Sequence, residues 1–212
     1  MAKSSERTEI NIVLVGEFSS GKSSLLNWLM ENEVLDVDII PTTSEIYKIS
    51  YDSKESEKSH LVEGIKIYEL RYPFNRLKIL KNVVLWDIPG LNSSDEVHEK
   101  CIDYALNHAD AFILVVDCSA GTIKKNSLDR LIRYVDKPIA VLISKADKAT
   151  FAQIKRVEQQ IRKEIDKYFK NAIFFGATTV IIENGATDFI EAIERLLNEV
   201  KKKKKTENSK ET

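Results

Sequence analysis

The fold class follows from the sequence Gly16-Glu17-Phe18-Ser19-Ser20-Gly21-Lys22-Ser23, which fits the pattern G-x-x-x-x-G-K-[ST]. Its glycines let the backbone curl so that successive N–H groups point at phosphate oxygens. An apolar run at 10–15 precedes the loop and predicts a buried strand, and a helical pattern at 22–30 follows it. This order predicts a phosphate-binding loop, in which Lys22 reaches the β- and γ-phosphates of a nucleotide and the Ser23 hydroxyl holds Mg²⁺.

Further apolar runs repeat the pattern of the first strand, and helical patterns separate them. The runs lie at 82–86, 111–116, 139–143 and 172–175, and the helical patterns at about 95–108, 124–135, 150–169 and 188–200. This alternation predicts a three-layer α/β fold, with a mainly parallel central sheet and helices on both faces. Residues 44–80 break the rhythm and predict an antiparallel edge hairpin, with strands at 44–51 and 61–70 around a polar turn at 52–59.

Composition adds limits on domain organisation and partners. The chain has 212 residues, with 32 Lys and Arg against 33 Asp and Glu, so its net charge of −1 gives no electrostatic case for a nucleic-acid partner. We expect an N-terminal extension at 1–9, one domain at 10–200 and a disordered basic tail at 201–212. The apolar runs are short and the N-terminus is polar, so we expect a cytoplasmic protein. Lysines 201–205 leave peripheral binding to an anionic membrane open, beside a merely solubilising role.

Two further motifs would complete the phosphate end of the site. Trp86-Asp87-Ile88-Pro89-Gly90 follows a predicted strand and has the form D-x-x-G, in which Asp87 would hold Mg²⁺ through water and the Gly90 N–H would meet the γ-phosphate. Pro41-Thr42-Thr43 lies between this motif and the first helix, where a threonine hydroxyl would complete the Mg²⁺ shell and its N–H would fix the attacking water.

A third motif points to the base. Ser144-Lys145-Ala146-Asp147 fits the guanine-reading pattern [NT]-K-x-D, with serine at the first position. Asp147 would accept hydrogen bonds from guanine N1–H and the exocyclic amine, which adenine does not offer, and the Lys145 stem would lie along the ring. Gly176-Ala177-Thr178 takes the place of a weaker loop whose backbone N–H meets guanine O6. The predicted nucleotide-binding residues are Gly16, Glu17, Phe18, Ser19, Ser20, Gly21, Lys22, Ser23, Ser24, Gly90, Ser144, Lys145, Asp147, Ala177 and Thr178.

With these motifs in order, the chain resembles the GTPase domain of the dynamin superfamily over about residues 8–200, and residues 16–27 look most like its bacterial members. The resemblance implies a P-loop GTPase fold, GTP hydrolysis to GDP, and Mg²⁺ held by Ser23, Thr43 and Asp87. The spacing between Lys22 and Thr43 is similar to that between the loop lysine and the switch threonine of the family. Thr43 rather than Thr42 is therefore the expected catalytic threonine, together with Ser19 and Lys22.

The resemblance also implies how hydrolysis is activated. Leu91 stands where Ras-like GTPases carry the glutamine that orients water, and Phe18 stands where eukaryotic dynamins carry theirs. In this superfamily a monovalent cation, K⁺ or Na⁺, binds near the serine matched by Ser19, and dimerisation across the nucleotide face completes its site. We therefore predict a nucleotide-dependent homodimer and slow basal hydrolysis that accelerates with protein concentration and with K⁺.

Two other functions stay open on the sequence. Dynamins continue into a helical bundle and stalk, whereas only residues 201–212 follow the predicted domain, so membrane remodelling by this chain alone is not expected. One alternative is a ribosome-associated GTPase of the Era/Obg kind. The other is a nucleotide-dependent interaction module that works with a separate helical or membrane partner.

Overall fold

The computed structural model describes residues 9–35, 45–93, 95–179 and 186–209. Within these ranges the strands are β1 (Ile10–Val15), β2 (Glu45–Tyr51), β3 (Ser56–Val62), β4 (Ile65–Tyr72), β5 (Val83–Asp87), β6 (Ala111–Asp117), β7 (Ile139–Ser144) and β8 (Ile173–Ala177). The helices are α1 (Lys22–Met30), α2 (Asn75–Ile79), α3 (Glu96–His108), α4 (Lys125–Leu131), α5 (Phe151–Ile165) and α6 (Thr187–Asn208). All the strands join one sheet, in the order β3-β4-β2-β5-β1-β6-β7-β8.

Five neighbouring strands of this sheet, β5, β1, β6, β7 and β8, run parallel and are covered by helices on both faces. The alternation of side chains along β1 shows the two layers, because Ile12 and Leu14 join one apolar cluster and Val13 and Val15 join the other. The first cluster includes side chains of α1 and α6, and the second includes side chains of α3, α4 and α5. The predicted three-layer α/β fold is therefore confirmed.

The edge of the sheet differs from the prediction. β2 pairs antiparallel with β5 and parallel with β4, and the hairpin is formed by β3 and β4. The predicted polar turn at 52–59 is wrong, since β3 begins at Ser56 and the tight turn lies at Glu63 and Gly64, both with positive φ. β3 is the outer strand and mostly exposed, so it carries no apolar alternation by which the sequence would reveal it.

The C-terminal lysines also differ from the prediction. Lysines 201–205 belong to α6, which continues to Asn208, so the predicted disorder is wrong for residues 201–209. Lysine is a good helix former, and ion pairs hold this part of the helix to the domain. Lys203 Nζ lies 3.1 Å from an Asp136 carboxylate oxygen and Lys204 Nζ lies 2.9 Å from Asp110 Oδ1. The basic composition therefore predicted disorder wrongly, because Lys203 and Lys204 form ion pairs with the domain.

The remaining differences are in helix length. The pattern at 124–135 resolves into α4 and the 3₁₀ turn Ile132–Tyr134, α5 ends four residues earlier than predicted, and the short helix α2 was not predicted. No helix in the described ranges carries an apolar stretch long enough to cross a membrane.

Candidate nucleotide-binding site

The candidate site lies where the parallel strands end at their carboxyl termini, the usual place for ligands in open α/β sheets. The phosphate loop connects β1 to α1, and its shape depends on two glycines. A Cβ at Gly16 would collide with the Val115 carbonyl oxygen, and Gly21 caps α1 with a φ of 94°. The loop therefore lies against β6 and turns sharply into the helix.

Lys22 is the first residue of α1 and lies inside the curl of the loop. Its Nζ donates to the Glu17 carbonyl oxygen at 3.2 Å, and the residue is 6% exposed. Burial lowers the pKa of Lys22, while the charges of Asp87 and Glu17 act in the opposite direction. The ammonium is thus held among loop groups rather than in solvent.

Ser23 and Asp87 lie next to each other, as expected for a metal site. Ser23 Oγ donates to Asp87 Oδ2 at 2.6 Å, and Asp87 Oδ1 is buried without a hydrogen-bond partner among the described residues. Burial raises the pKa of Asp87, and the Lys22 charge opposes this effect. A buried carboxylate oxygen with no donor beside a hydroxyl fits Mg²⁺, which prefers such oxygen ligands.

The loop after β5 packs directly on the phosphate loop. The Leu91 N–H donates to the Gly16 carbonyl at 2.9 Å, and the Phe18 N–H donates to Asn92 Oδ1 at 2.8 Å. A Cβ at Gly90 would lie 2.5 Å from the Phe18 nitrogen, so this position requires glycine. Leu91 is fully buried and Phe18 is exposed. Sequence reasoning missed the role of Asn92, which only the contact reveals.

The loop after β7 also binds the phosphate loop. Ser144 Oγ donates to the Ser20 carbonyl at 2.5 Å, and Lys145 Nζ donates to the Ser19 carbonyl at 2.6 Å. Lys145 Nζ also lies 2.8 Å from Asp117 Oδ2. Although burial acts to raise the pKa of Asp117, the hydrogen bond from Lys145 contributes to lowering it overall. The predicted base motif and the phosphate loop are therefore in direct contact.

A cavity of about 130 Å³ lies beside these loops, at the place expected for the base. Its lining includes Gly21, Ser24, Leu25, Ser144, Lys145, Asp147, Lys148, Thr178 and Thr179. Thr179 Oγ1 donates to Asp147 Oδ1 at 2.8 Å, which fixes the carboxylate at the cavity wall. Sequence reasoning missed Thr179, which lies directly after the predicted base loop.

The predicted base loop at 176–178 begins later than expected, because β8 extends through Ala177. The Thr178 N–H donates to the Ile143 carbonyl at 2.8 Å, and the Thr178 carbonyl accepts from the Ala146 N–H at 3.3 Å. Thr178 is buried. Its backbone therefore joins the ends of β7 and β8, and its N–H is already used within the protein.

Ser127 and Asn27, which sequence reasoning missed, fix the surroundings of the phosphate loop. The Glu17 carboxylate accepts from Ser127 Oγ at 2.5 Å, which ties the loop to α4. The Asn27 carboxamide accepts from the Leu35 N–H at 2.9 Å and donates to the Leu35 carbonyl at 2.8 Å. A buried asparagine in the apolar helix α1 is the signal that was available for the second contact. Thr42 and Thr43 lie outside the described residues.

A phosphate loop after β1, an Asp-Gly loop after β5 and a Lys-x-Asp motif after β7, on a mainly parallel sheet, define a P-loop GTPase fold. The model of the Dynamin family matches residues 12–78 and 73–145, so the chain belongs to the dynamin family.

The chain is also similar to individual proteins, among them one dynamin-like relative and two solved structures. Dynamin-like protein 2 of Campylobacter jejuni is 21% identical over 184 residues, which cover 77% of this chain and 30% of that protein. One solved structure is a chain of an oligomerised bacterial dynamin pair that provides a mechanism for long-range sensing and tethering of membranes. It has a TM-score of 0.69 at 17% identity, and the match covers 97% of this chain and 42% of the dynamin chain. Era bound to MgGDPNP and a 16S ribosomal RNA segment has a TM-score of 0.55 at 16% identity. The match covers 92% of this chain and 56% of the Era chain. The two structural similarities show the fold, and the chain spans less than two thirds of each of these proteins.

Proposed function

We propose that the chain binds GTP with Mg²⁺ and hydrolyses it to GDP and phosphate. The observation that carries the proposal is the direct contact between the two predicted halves of the site. Ser144 and Lys145 each donate a hydrogen bond to a carbonyl of the phosphate loop, at 2.5 and 2.6 Å. Through these bonds, a group that reads the base and a loop that cradles phosphates are held at a fixed spacing, as a nucleoside triphosphate requires.

At the phosphate end, Lys22 and the loop N–H groups bind and orient the triphosphate. Ser23 would hold Mg²⁺ directly and Asp87 would hold it through water, with Thr43 proposed to complete the shell and to fix the attacking water with its N–H. When bound, Mg²⁺ neutralises the negative charge that develops on the phosphate oxygens. Because Lys22 is buried, its charge acts on the phosphates with little screening by water.

At the base end, Asp147 distinguishes guanine from adenine. Its carboxylate accepts from the guanine N1–H and from the exocyclic amine, while Thr179 holds one carboxylate oxygen in place. The Lys145 stem lies along the ring while its ammonium stays bound to the Ser19 carbonyl and to Asp117. GTP is therefore the proposed substrate rather than ATP.

Activation is proposed to need a second copy of the chain. Leu91 is fully buried and Phe18 is apolar, so neither side chain supplies a group that orients the attacking water. Phe18 and Ser19 are both exposed at the outer edge of the phosphate loop, where a second molecule has access to them. The oligomerised bacterial dynamin pair with the same fold supports self-association. We therefore place the dimer across the nucleotide face, with K⁺ or Na⁺ near Ser19.

The dimer part of the proposal predicts that turnover depends on protein concentration and on cation. GTP turnover per molecule is expected to rise at least about tenfold between dilute and concentrated protein in KCl, because dimerisation adds charge stabilisation in the transition state. Phosphate release is measured across a protein dilution series in KCl, NaCl and choline chloride of equal ionic strength, where choline is the control for ionic strength alone. A turnover per molecule that is constant across the series and the salts would remove the dimer and the cation while leaving GTP hydrolysis in place.

The place of action is proposed to be the cytoplasm, at a membrane surface or with a helical membrane partner, which the membrane-tethering bacterial dynamin pair supports. The fold shared with Era keeps a ribosome-associated role as the alternative. Co-sedimentation with membranes or with ribosomes from the same lysate distinguishes these two. Multiple-turnover release of phosphate from GTP would exclude the other alternative, an interaction module with negligible turnover.

A further inference from the structure

Two hydrogen bonds join the loop after β5 to the phosphate loop, and they differ in kind. The Leu91 N–H bonds the Gly16 carbonyl at 2.9 Å, so this bond belongs to the backbone and survives a change of side chain. The Phe18 N–H bonds Asn92 Oδ1 at 2.8 Å, so this second bond depends on one side chain. A single substitution at Asn92 therefore removes one of the two bonds between the loops.

The Asn92 bond lies beside Gly90, where the two loops pack closely. A Cβ at Gly90 would lie 2.5 Å from the Phe18 nitrogen and 3.0 Å from Asn92 Oδ1, so all three residues meet at one point. Gly90 carries the N–H proposed to meet the γ-phosphate, and Phe18 precedes the loop N–H groups that cradle the phosphates. The Asn92 carboxamide thus bonds at the point where two sets of groups proposed to bind the same phosphate meet.

We propose that Asn92 is a positioning residue for GTP hydrolysis, whose carboxamide oxygen holds the Phe18 backbone against Gly90 and so aligns both loops around the γ-phosphate. This inference rests on the proposed function. A carboxamide suits the task because it accepts a hydrogen bond without bringing a negative charge close to a triphosphate. GDP has no γ-phosphate, so its binding does not require this alignment.

The loop beyond Asn92 is held by contacts of its own. Asp95 Oδ1 caps α3 by accepting from the Val97 N–H at 2.9 Å and the His98 N–H at 3.2 Å. Ser93 Oγ lies 2.6 Å from His98 Nδ1. These bonds, with that of Leu91, are independent of Asn92, so the Asn92→Ala chain is expected to fold and to keep α3 in place.

The test compares Asn92→Ala with the wild-type chain in three measurements. We expect kcat for GTP to fall about tenfold, because a misplacement of reacting groups by about 1 Å costs on the order of 100-fold and a smaller displacement costs correspondingly less. The dissociation constant for GDP is expected to stay within about twofold, since the lost contact does not touch its phosphates. Amide hydrogen exchange at Phe18, followed by NMR, is expected to become faster because its acceptor is gone.

Matched variants separate positioning from a general structural effect. Asn107→Ala is the control, because Asn107 Oδ1 also accepts one hydrogen bond, from the Tyr134 hydroxyl at 2.8 Å, at the C-terminal end of α3. It should leave all three measurements unchanged. Asn92→Asp keeps an acceptor, so Phe18 exchange and GDP affinity should stay near wild type, while its charge weakens GTP binding selectively.

Three results would overturn the inference. They are an Asn92→Ala chain with wild-type kcat, one that loses GDP affinity as much as kcat, and one with unchanged exchange at Phe18. A wild-type chain without GTP turnover would contradict the proposed function instead, and the Phe18 exchange rates would still decide whether the Asn92 contact exists.

Discussion

Lys22→Ala is expected to weaken binding of GTP by at least about 100-fold and binding of GDP, which lacks the γ-phosphate, by at least about tenfold, and to bring turnover below detection. The Lys22 ammonium is buried within the phosphate loop, where it already donates to a loop carbonyl. Hydrogen bonds between charged groups contribute about 1.5–3 kcal/mol each, and two such bonds to phosphate oxygens correspond to a change of at least about 100-fold in affinity. Binding is measured with a fluorescent GDP analogue and turnover by phosphate release.

Lys137→Ala is the matched control for this loss. Burial lowers the pKa of Lys137 too, and its Nζ donates to the carbonyls of Leu106 and Asn107 at 2.9 and 3.2 Å, at the end of α3. It should leave nucleotide binding unchanged. Melting temperatures are recorded for both variants, because Lys22→Ala also leaves the buried Asp87 without its cation. If Lys22→Ala bound GDP with wild-type affinity, the phosphate loop would not be the nucleotide site and the proposed function would fail.

Asp147→Asn is expected to exchange the base preference of the site from guanine to xanthine. An asparagine offers one acceptor and one donor where the carboxylate offers two acceptors, so it no longer fits both N1–H and the exocyclic amine of guanine. Xanthine carries a carbonyl in place of that amine and accepts from the new donor. We expect GTP affinity to fall by about 100-fold and XTP affinity to rise above it, measured by competition against a fluorescent nucleotide.

Asp117→Asn provides the control for charge near the base. Asp117 pairs with Lys145 at 2.8 Å but is not a proposed base contact, so this variant should weaken GTP and XTP to the same extent. An exchange of preference in Asp117→Asn, or none in Asp147→Asn, would contradict the assignment of Asp147 as the group that reads the base.

The parallel part of the fold was predictable because of how it is buried. Strands covered on both faces, such as β6 and β7, are continuous apolar runs that stand out in the sequence. β3 exposes five of its seven residues at the edge of the sheet, so polarity hid it among turn residues. The lysines of α6 were misjudged for a similar reason, since composition does not show that Asp110 and Asp136 lie within reach.

The residues of the candidate site also divide into those that the sequence predicted and those that it did not. Motif residues such as Lys22, Asp87 and Asp147 were predicted because their spacing on the chain is itself the signal. The residues that connect the motifs were not, because Asn92 and Thr179 meet their partners only after the sheet brings separate loops to one edge. Sequence patterns therefore indicated the candidate nucleotide-binding groups, and the fold was needed to find the groups that hold them.

The central claim, that this site hydrolyses GTP, is tested most directly by phosphate release from GTP and from ATP with the wild-type chain in Mg²⁺ and K⁺. We expect steady multiple turnover of GTP and a kcat/KM for ATP at least about 100-fold lower, because adenine offers Asp147 no matching pair of donors. Equal turnover of the two nucleotides, or no turnover of GTP at any protein concentration, would contradict the claim.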